Sequence, residues 1–332
     1  MSREPHVDIC VPVYNGRAFV AETLAAIQRQ RFENLTVLIS DDGSDDGSAD
    51  ICRGFLVDRR FRLSIQRSRL GWIGNCNWLL RHATSELVCI VSHDDLPEPD
   101  HIVRLAGSLA AEPDCVLAFT DIRVFGVLDY LQHQASIFGS SAQRIRAFIA
   151  RHYDGAAFHA LIRRRAIHLA GGLRGNAMDH FAADVAWLGR LAGVGAFQRV
   201  PEPLYQKRRH LASTSLQWRH WSDDRRAEAW SLHCGELLRD GLGQPLTPDE
   251  QLRIVHASLR RVLAIEPALP FQFIRELPRD RQASMVATLL ADVQHIPTTA
   301  LRVMAEEDPY AILARVGGEA AAWNRFQRSA LG

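Results

Sequence analysis

The stretch Leu87-Val88-Cys89-Ile90-Val91-Ser92-His93-Asp94-Asp95 constrains this chain most. An apolar run ends in two adjacent carboxylates, and Pro97 follows almost at once. A buried strand of an open α/β sheet delivers its functional groups at its carboxyl end, where ligands bind. Two acids there repel each other and lose hydration, so they are costly unless a positive charge sits against them. A divalent cation carrying a phosphorylated ligand is one such partner. The plainer alternative is a turn in which Asp bonds to nearby backbone.

Two earlier segments have the same layout. His6 to Val13 reads as a strand running into Tyr14-Asn15-Gly16, and Val20, Leu24 and Ile27 then share a helix face. Leu35 to Ile39 is a second buried strand, and it enters Ser40-Asp41-Asp42-Gly43-Ser44-Asp45-Asp46-Gly47-Ser48. Strand, polar loop and helix in alternation argue a parallel sheet with its ligand site along one edge.

Three motifs make the pattern specific. Asp8-Ile9-Cys10-Val11-Pro12-Val13-Tyr14-Asn15 resembles the opening strand of family 2 glycosyltransferases. Asp41 to Ser48 is similar to that family's second motif, and Ser92-His93-Asp94-Asp95 sits where the family carries an Asp-x-Asp metal signature. The resemblance covers about residues 6 to 215. It implies a GT-A type α/β fold, a mostly parallel sheet flanked by helices with a Rossmann-like nucleotide-binding half. On that basis residues 1–215 are the catalytic domain and 216–332 a helical C-terminal region.

The resemblance also implies roles. Pro12, Tyr14 and Asn15 wall the base and ribose, Asp41 accepts a hydrogen bond from the base ring N–H, and Asp42 shapes the adjoining turn. Such a contact favours uracil or thymine, hence a UDP- or dTDP-sugar. Arg69, Gly71 and Asn77 complete the nucleotide side, with Arg69 standing where the family usually has Asn. Asp94 holds Mn²⁺ or Mg²⁺, while His93 points away from the ion on the sugar and diphosphate side and Asp95 contacts sugar or lies behind the metal. Arg209 and His210 fold back towards the diphosphate. Asp184 is the general base on the acceptor hydroxyl, with Asp179 in reserve, and a single displacement inverts the anomeric centre. Two departures stand out: Ser92 replaces the first acid of the metal signature, and Ala183 replaces a Glu.

Bulk properties agree with a soluble enzyme. A chain of 332 residues with 47% hydrophobic content buries a sizeable core. A net charge of +1 supplies no drive towards nucleic acid or an anionic membrane. The six Cys show no metal or redox spacing, which fits a reducing cytoplasm. The polar N-terminus enters a strand at once, excluding a signal peptide, and no apolar run reaches the ~20 residues that span a bilayer. A lipid-linked acceptor, as opposed to a free glycan, is then met by surface docking or through a partner.

Downstream, Asp100 to Ala111 reads as a helix burying Ile102, Val103, Leu105 and Leu109, and Cys115 to Phe119 as a strand. Residues 128 to 142 read as a loop and candidate cover, and Arg163-Arg164-Arg165 as a solvated helix face. Gly195 to Val200 reads as a strand. Thr247-Pro248-Asp249-Glu250 is a helix start with a capping box, and further helices begin near Arg279 and Thr299. Trp218, Trp221 and Trp230 are spaced for at least two to share a face, packed on the catalytic domain or offered to lipid or a partner. Competing activities are a non-catalytic sugar-nucleotide binder, a nucleotidyltransferase (for which Tyr14-Asn15-Gly16-Arg17 is a poor phosphate loop) and, last, a metal-free hydrolase.

Overall fold

The computed structural model describes residues 5–151, 155–264 and 272–291. They divide into two compact units. Among the described residues the first comprises those up to 138, within 154–175 and 194–217; the second takes those within 139–153, 176–193 and from Trp218 on. The division differs from a cut at 215/216, because 139–153 and 176–193 leave the catalytic segment for the second unit.

The elements run in chain order. They begin with β1 (Val7–Val13), α1 (Val20–Gln28), β2 (Leu35–Asp41), α2 (Ser48–Gly54), β3 (Phe61–Ile65) and α3 (Gly71–His82). Next come β4 (Leu87–Ile90), β5 (Leu96–Pro97), α4 (His101–Ala111), β6 (Cys115–Gly126), β7 (Tyr130–Gln132) and α5 (Ser141–Ala150). They continue with β8 (Leu161–Arg163), α6 (Arg164–Ala170), α7 (Ala183–Val194), β9 (Ala196–Arg209) and α8 (Thr214–Gln217). The last are α9 (Asp223–Leu242), α10 (Pro248–Val262) and α11 (Arg279–Ala291).

Among the described residues all nine strands lie in the first unit, in the order β3-β2-β1-β4-β8-β6-β9-β5 with β7 paired to β6. The first four are parallel, with Val7 opposite both Leu35 and Leu87. Helical crossovers build such a sheet, so β1 and β4 are buried on both faces. Chain order reverses between β1 and β4, the switch point at which the strand ends of open sheets bind ligands. The carboxyl ends of β2, β1 and β4 therefore stand in a row.

Val20, Leu24 and Ile27 bury one face of α1 as their spacing requires. On α4, Ile102, Leu105 and Leu109 are buried but Val103 is 38% exposed, since it lies well round the helix from the other three. The Arg run is not a solvated face. Arg163 ends β8 and donates to the carbonyls of Cys115 and Leu109, and Arg164 donates to that of Ser85. Residues 128 to 142 are not all loop: β7 pairs with Ile122–Val124, and Ser140 with Gln143 forms the capping box of α5.

Strand β9 is longer than expected. Its parallel pairing with β6 steps from Thr120–Val200 to Ile122–Tyr205, so Pro201–Leu204 bulge out and the strand resumes to Arg209. Pro201 and Pro203 lack the N–H that a ladder needs. At the far end Gly126 has φ +105, and a Cβ there would strike the Arg209 carbonyl.

The second unit is helical among its described residues. Thr247 and Glu250 close the capping box of α10, which buries Ile254, Leu259 and Val262. The three Trp do not form a helical stripe. Trp218 sits in a 3₁₀ turn and meets Phe181 at 4.6 Å, while Trp230 is buried in α9 and donates to the Arg261 carbonyl. The expected helix near Thr299 lies outside the described residues. All six Cys are buried and unbridged.

Candidate functional site

Two loops lace together beyond β1 and β2. Asn15, at φ 46, donates its backbone N–H to Ser44 Oγ and accepts the Asp45 N–H on its amide oxygen. Gly16 N–H donates to Ser48 Oγ, and Arg17 N–H to Asp46 Oδ2. Asp41 closes β2: its Oδ1 accepts the Ser44 N–H, while Oδ2 is enclosed and lacks a hydrogen-bond partner. A buried acceptor left unpaired costs about 1–3 kcal/mol, and a donor brought by a ligand would relieve it.

Asp42 is also buried, and it turns to a third loop. Its carboxylate accepts the N–H groups of Leu70 at 2.6 Å and Gly71 at 2.9 Å, the latter in left-handed backbone. That anchorage holds the Arg69 guanidinium over the Tyr14 ring, 3.9 Å from its centroid. Asn77 does not face this edge, for its amide is tied in both senses to the backbone of Leu173. Asn75 is the residue sequence reasoning missed. It bonds the strand-end carbonyls of Ser40 and Val13 and leaves a buried Oδ1 without a partner. Its signal was register: Asn75 shares the inner face of α3 with Leu79, four residues on.

At the end of β4 the adjacent acids diverge. Asp94 directs Oδ2 to His210 Nε2 at 3.1 Å. Asp95 turns inward, accepting the Arg208 N–H at 2.8 Å and the Tyr205 O–H at 3.0 Å, with His159 Nε2 at 3.7 Å. Burial, and then the neighbouring Asp94, push the Asp95 carboxyl well above the usual carboxylate range. Burial likewise holds His159 far below the usual imidazole range. His93 swings back from the acids, with Nδ1 3.2 Å from the Pro12 carbonyl, so close over Gly16 that a Cβ there would meet its ring.

The basic residue that folds onto this turn beside His210 is Arg208. Its Nε donates to the Asp94 carbonyl, its Nη2 to Glu22, and its guanidinium lies against Phe19 and Phe125. Arg209 instead ends the β6–β9 ladder opposite Gly126.

Among the described residues no group of three or more His, Cys, Asp or Glu side chains is arranged to hold a metal. Asp94 with His210 is a two-donor set of one carboxylate oxygen and one imidazole nitrogen. Such a pair suits a cation that takes its other ligands from phosphate and water, and the imidazole favours Mn²⁺ over Mg²⁺.

Asp184 and Asp179 belong to the second unit. Asp184 lies part-buried in the first turn of α7. Asp179 is exposed and paired with Arg225 at 2.6 Å. Asp179, His180 and Ala182 all have positive φ, and Asn176 ties the segment by bonds to Met178 N–H and the Phe181 carbonyl.

Residues 8–169 match the family model described as Glycosyl transferase family 2. Glycosyltransferase GlyG of Streptococcus pneumoniae serotype 4 is 31% identical over 100 residues, 30% of this chain and 33% of that one. The matched part spans about a third of the length of the first curated relatives. The structure of S. aureus TarS 1-349 in complex with UDP-GlcNAc superposes with TM-score 0.65 at 14% identity, covering 98% of this chain and 90% of that one. Mannosyltransferase PcManGT from Pyrobaculum calidifontis, in complex with GDP-Man and Mn²⁺, gives TM-score 0.53 at 19% identity and covers 99% and 85%. At these identities the structural likenesses show a shared fold. Among the described residues no helix is long and apolar enough to cross a membrane.

Proposed function

Since residues 8–169 match glycosyl transferase family 2 and the chain has the GT-A fold, we propose that it acts as a member of that family and moves a sugar from a nucleoside diphosphate to an acceptor hydroxyl with inversion. One observation carries the proposal: the polar ends of β1, β2 and β4 stand side by side, with Asp94 and His210 paired at the last of them. The donor is a UDP- or dTDP-sugar. Asp41 Oδ2 accepts the base N–H, Tyr14 offers a ring face, and Arg69 lies over that face before the nucleotide arrives. The UDP-GlcNAc bound by TarS supports the uridine choice, and the GDP-Man bound by PcManGT names its competitor.

Asp94 and His210 would hold a divalent cation, Mn²⁺ or Mg²⁺. When bound, it supplies charge neutralisation for the departing diphosphate. Asp95 keeps the tail of β9 beside Asp94. Asp184 takes the proton from the acceptor hydroxyl as that oxygen attacks the anomeric carbon, and the nucleoside diphosphate leaves from the opposite face. The acceptor is a glycan or lipid-linked saccharide of bacterial surface polysaccharide or glycoconjugate synthesis. Peripheral contact with the inner membrane face or a partner falls to the C-terminal helices.

Calorimetric titration with UDP, dTDP, GDP and CDP, each with and without Mn²⁺, tests the donor. UDP or dTDP should bind most tightly and gain from Mn²⁺. Tighter GDP binding would overturn the base assignment, and failure of all four to bind would overturn the activity.

A further inference from the structure

Tyr205, His159 and the Asp95 carboxylate form a buried polar cluster that the proposed chemistry does not touch. All three are at most 3% exposed. Enclosing a phenol, an imidazole and a carboxyl group is costly unless they bond to one another, so apolar residues would fill the space more cheaply. The geometry shows what the polar groups connect. The His159 ring stacks on Tyr205, with centroids 4.3 Å apart and planes 17° apart, and its Nδ1 lies 3.2 Å from the carbonyl of Ile90 at the end of β4. Asp95 then grips β9 twice, three residues apart, through the Tyr205 O–H and the Arg208 N–H.

The grip falls just past the bulge at Pro201–Leu204, where pairing with β6 breaks and register must be set anew. Two residues beyond it, His210 reaches Asp94. In a strand a slip of one residue turns each side chain to the other face, so the contact at Asp94 depends on register being set correctly. Resting on the assignment of Asp94 and His210 to the donor diphosphate, we propose that Tyr205, braced by His159, is a positioning residue. Through Asp95 it sets the register of residues 205–210 and so aims His210 at Asp94.

The test uses the full chain and Tyr205→Phe, which keeps the ring and its stack but removes the O–H. His159→Phe is a second variant that keeps a ring against Tyr205. Two quantities are read: amide exchange of the peptide 205–213, and the gain in UDP affinity on adding Mn²⁺. Tyr205→Phe should speed exchange in 205–213 by about tenfold or more while the other strands exchange as before. The Mn²⁺-dependent gain should fall by about 10-fold, as for loss of a group behind a metal ligand, with metal-free UDP affinity unchanged. The double variant Tyr205→Phe/His210→Ala should lose no more than His210→Ala alone. Wild-type exchange in 205–213 would show that the ladders with β5 and β6 suffice and would overturn the proposal, as would losses that multiply in the double variant. If the wild-type chain shows no Mn²⁺-dependent gain, the donor assignment fails, and exchange in 205–213 by itself decides whether Tyr205 sets the tail.

Discussion

The strand-end edge of the first unit and the 176–184 segment of the second bring carboxylates to their places by opposite means. At the edge, regular backbone does the work: Val13 pairs with Asp41, Cys10 with Ile90, and the acids follow where the strands stop. In the segment no strand precedes the acid. Asp179, His180 and Ala182 all adopt positive φ before α7 begins, a conformation costing L-residues about 1–2 kcal/mol each. Backbone held in such regions persists only when its surroundings over-determine it, and it clusters at functional sites. A sheet edge thus places groups through repeated hydrogen bonds, whereas the chain reaches Asp184 through three left-handed residues.

The largest expected effect tests whether the strained segment serves chemistry. Asp184→Asn should lower sugar transfer about 10²–10⁴-fold, the span of general-base contributions, with nucleotide affinity near wild type. Asp179→Asn should do far less, because that carboxylate is exposed and held by Arg225. The reverse ranking in transfer assays would move the base to Asp179 and remove the reason for the strain.

Acid should strain both units through their buried histidines. His101 is held neutral by burial, its pKa lowered from 6.5 to about 4, and burial lowers His159 and His233 as well. Between pH 6.5 and 4 the unfolded chain binds these protons and the folded chain does not, so stability falls as pH falls through that window. His101 alone accounts for about 3 kcal/mol of this loss. Asp95 opposes it: its raised pKa favours the folded state at low pH, an advantage lost as pH rises. Denaturant melts at pH 7 and pH 4.5 should show net destabilisation at the lower pH. Equal midpoints would mean that the histidines are not held neutral.

Next in size is Asp41→Ala. It should weaken nucleotide binding by about 1–3 kcal/mol, equally with and without Mn²⁺, because the contact lies at the base and not at the phosphates. A loss that appears only with Mn²⁺ in titration calorimetry would place Asp41 on the diphosphate side of the edge.

The smallest effect contrasts the two regions directly. Ala182→Gly relieves a left-handed residue and should raise stability by up to about 1 kcal/mol while lowering transfer, if strain aims Asp184. Thermal melts and transfer rates on one preparation would show it. A stabilised variant of undiminished activity would reduce the strain to an accident of packing.

The same contrast explains what was legible in the chain. At the edge the local pattern sufficed: apolar runs end in Tyr14-Asn15, Asp41-Asp42 and Asp94-Asp95, and strand pairing turned those sequence ends into a spatial row. Arg208 was not legible, because whether it or Arg209 reaches Asp94 depends on a register reset after four bulged residues. Asn75 and Asn77 differ by two positions on one helix, and only packing decides which faces the sheet. Of the three Trp, two share a face as their spacing requires, Trp218 and Trp221 with centroids 6.3 Å apart beside Phe181, but they meet at a 3₁₀ turn and Trp230 lies apart in α9.

By itself the sequence determined the first strand segments, the helices between them, the Thr247 cap and the strand-end acids, since all depend on neighbours within a few residues along the chain. Only the tertiary structure decided that Asp94 faces His210 while Asp95 turns inward to Tyr205 and His159, and that 139–153 and 176–193 join the helical unit. Those outcomes depend on contacts between residues from about 60 to more than 110 positions apart. Burial and hydrogen bonding choose among backbone courses that local propensity leaves equal.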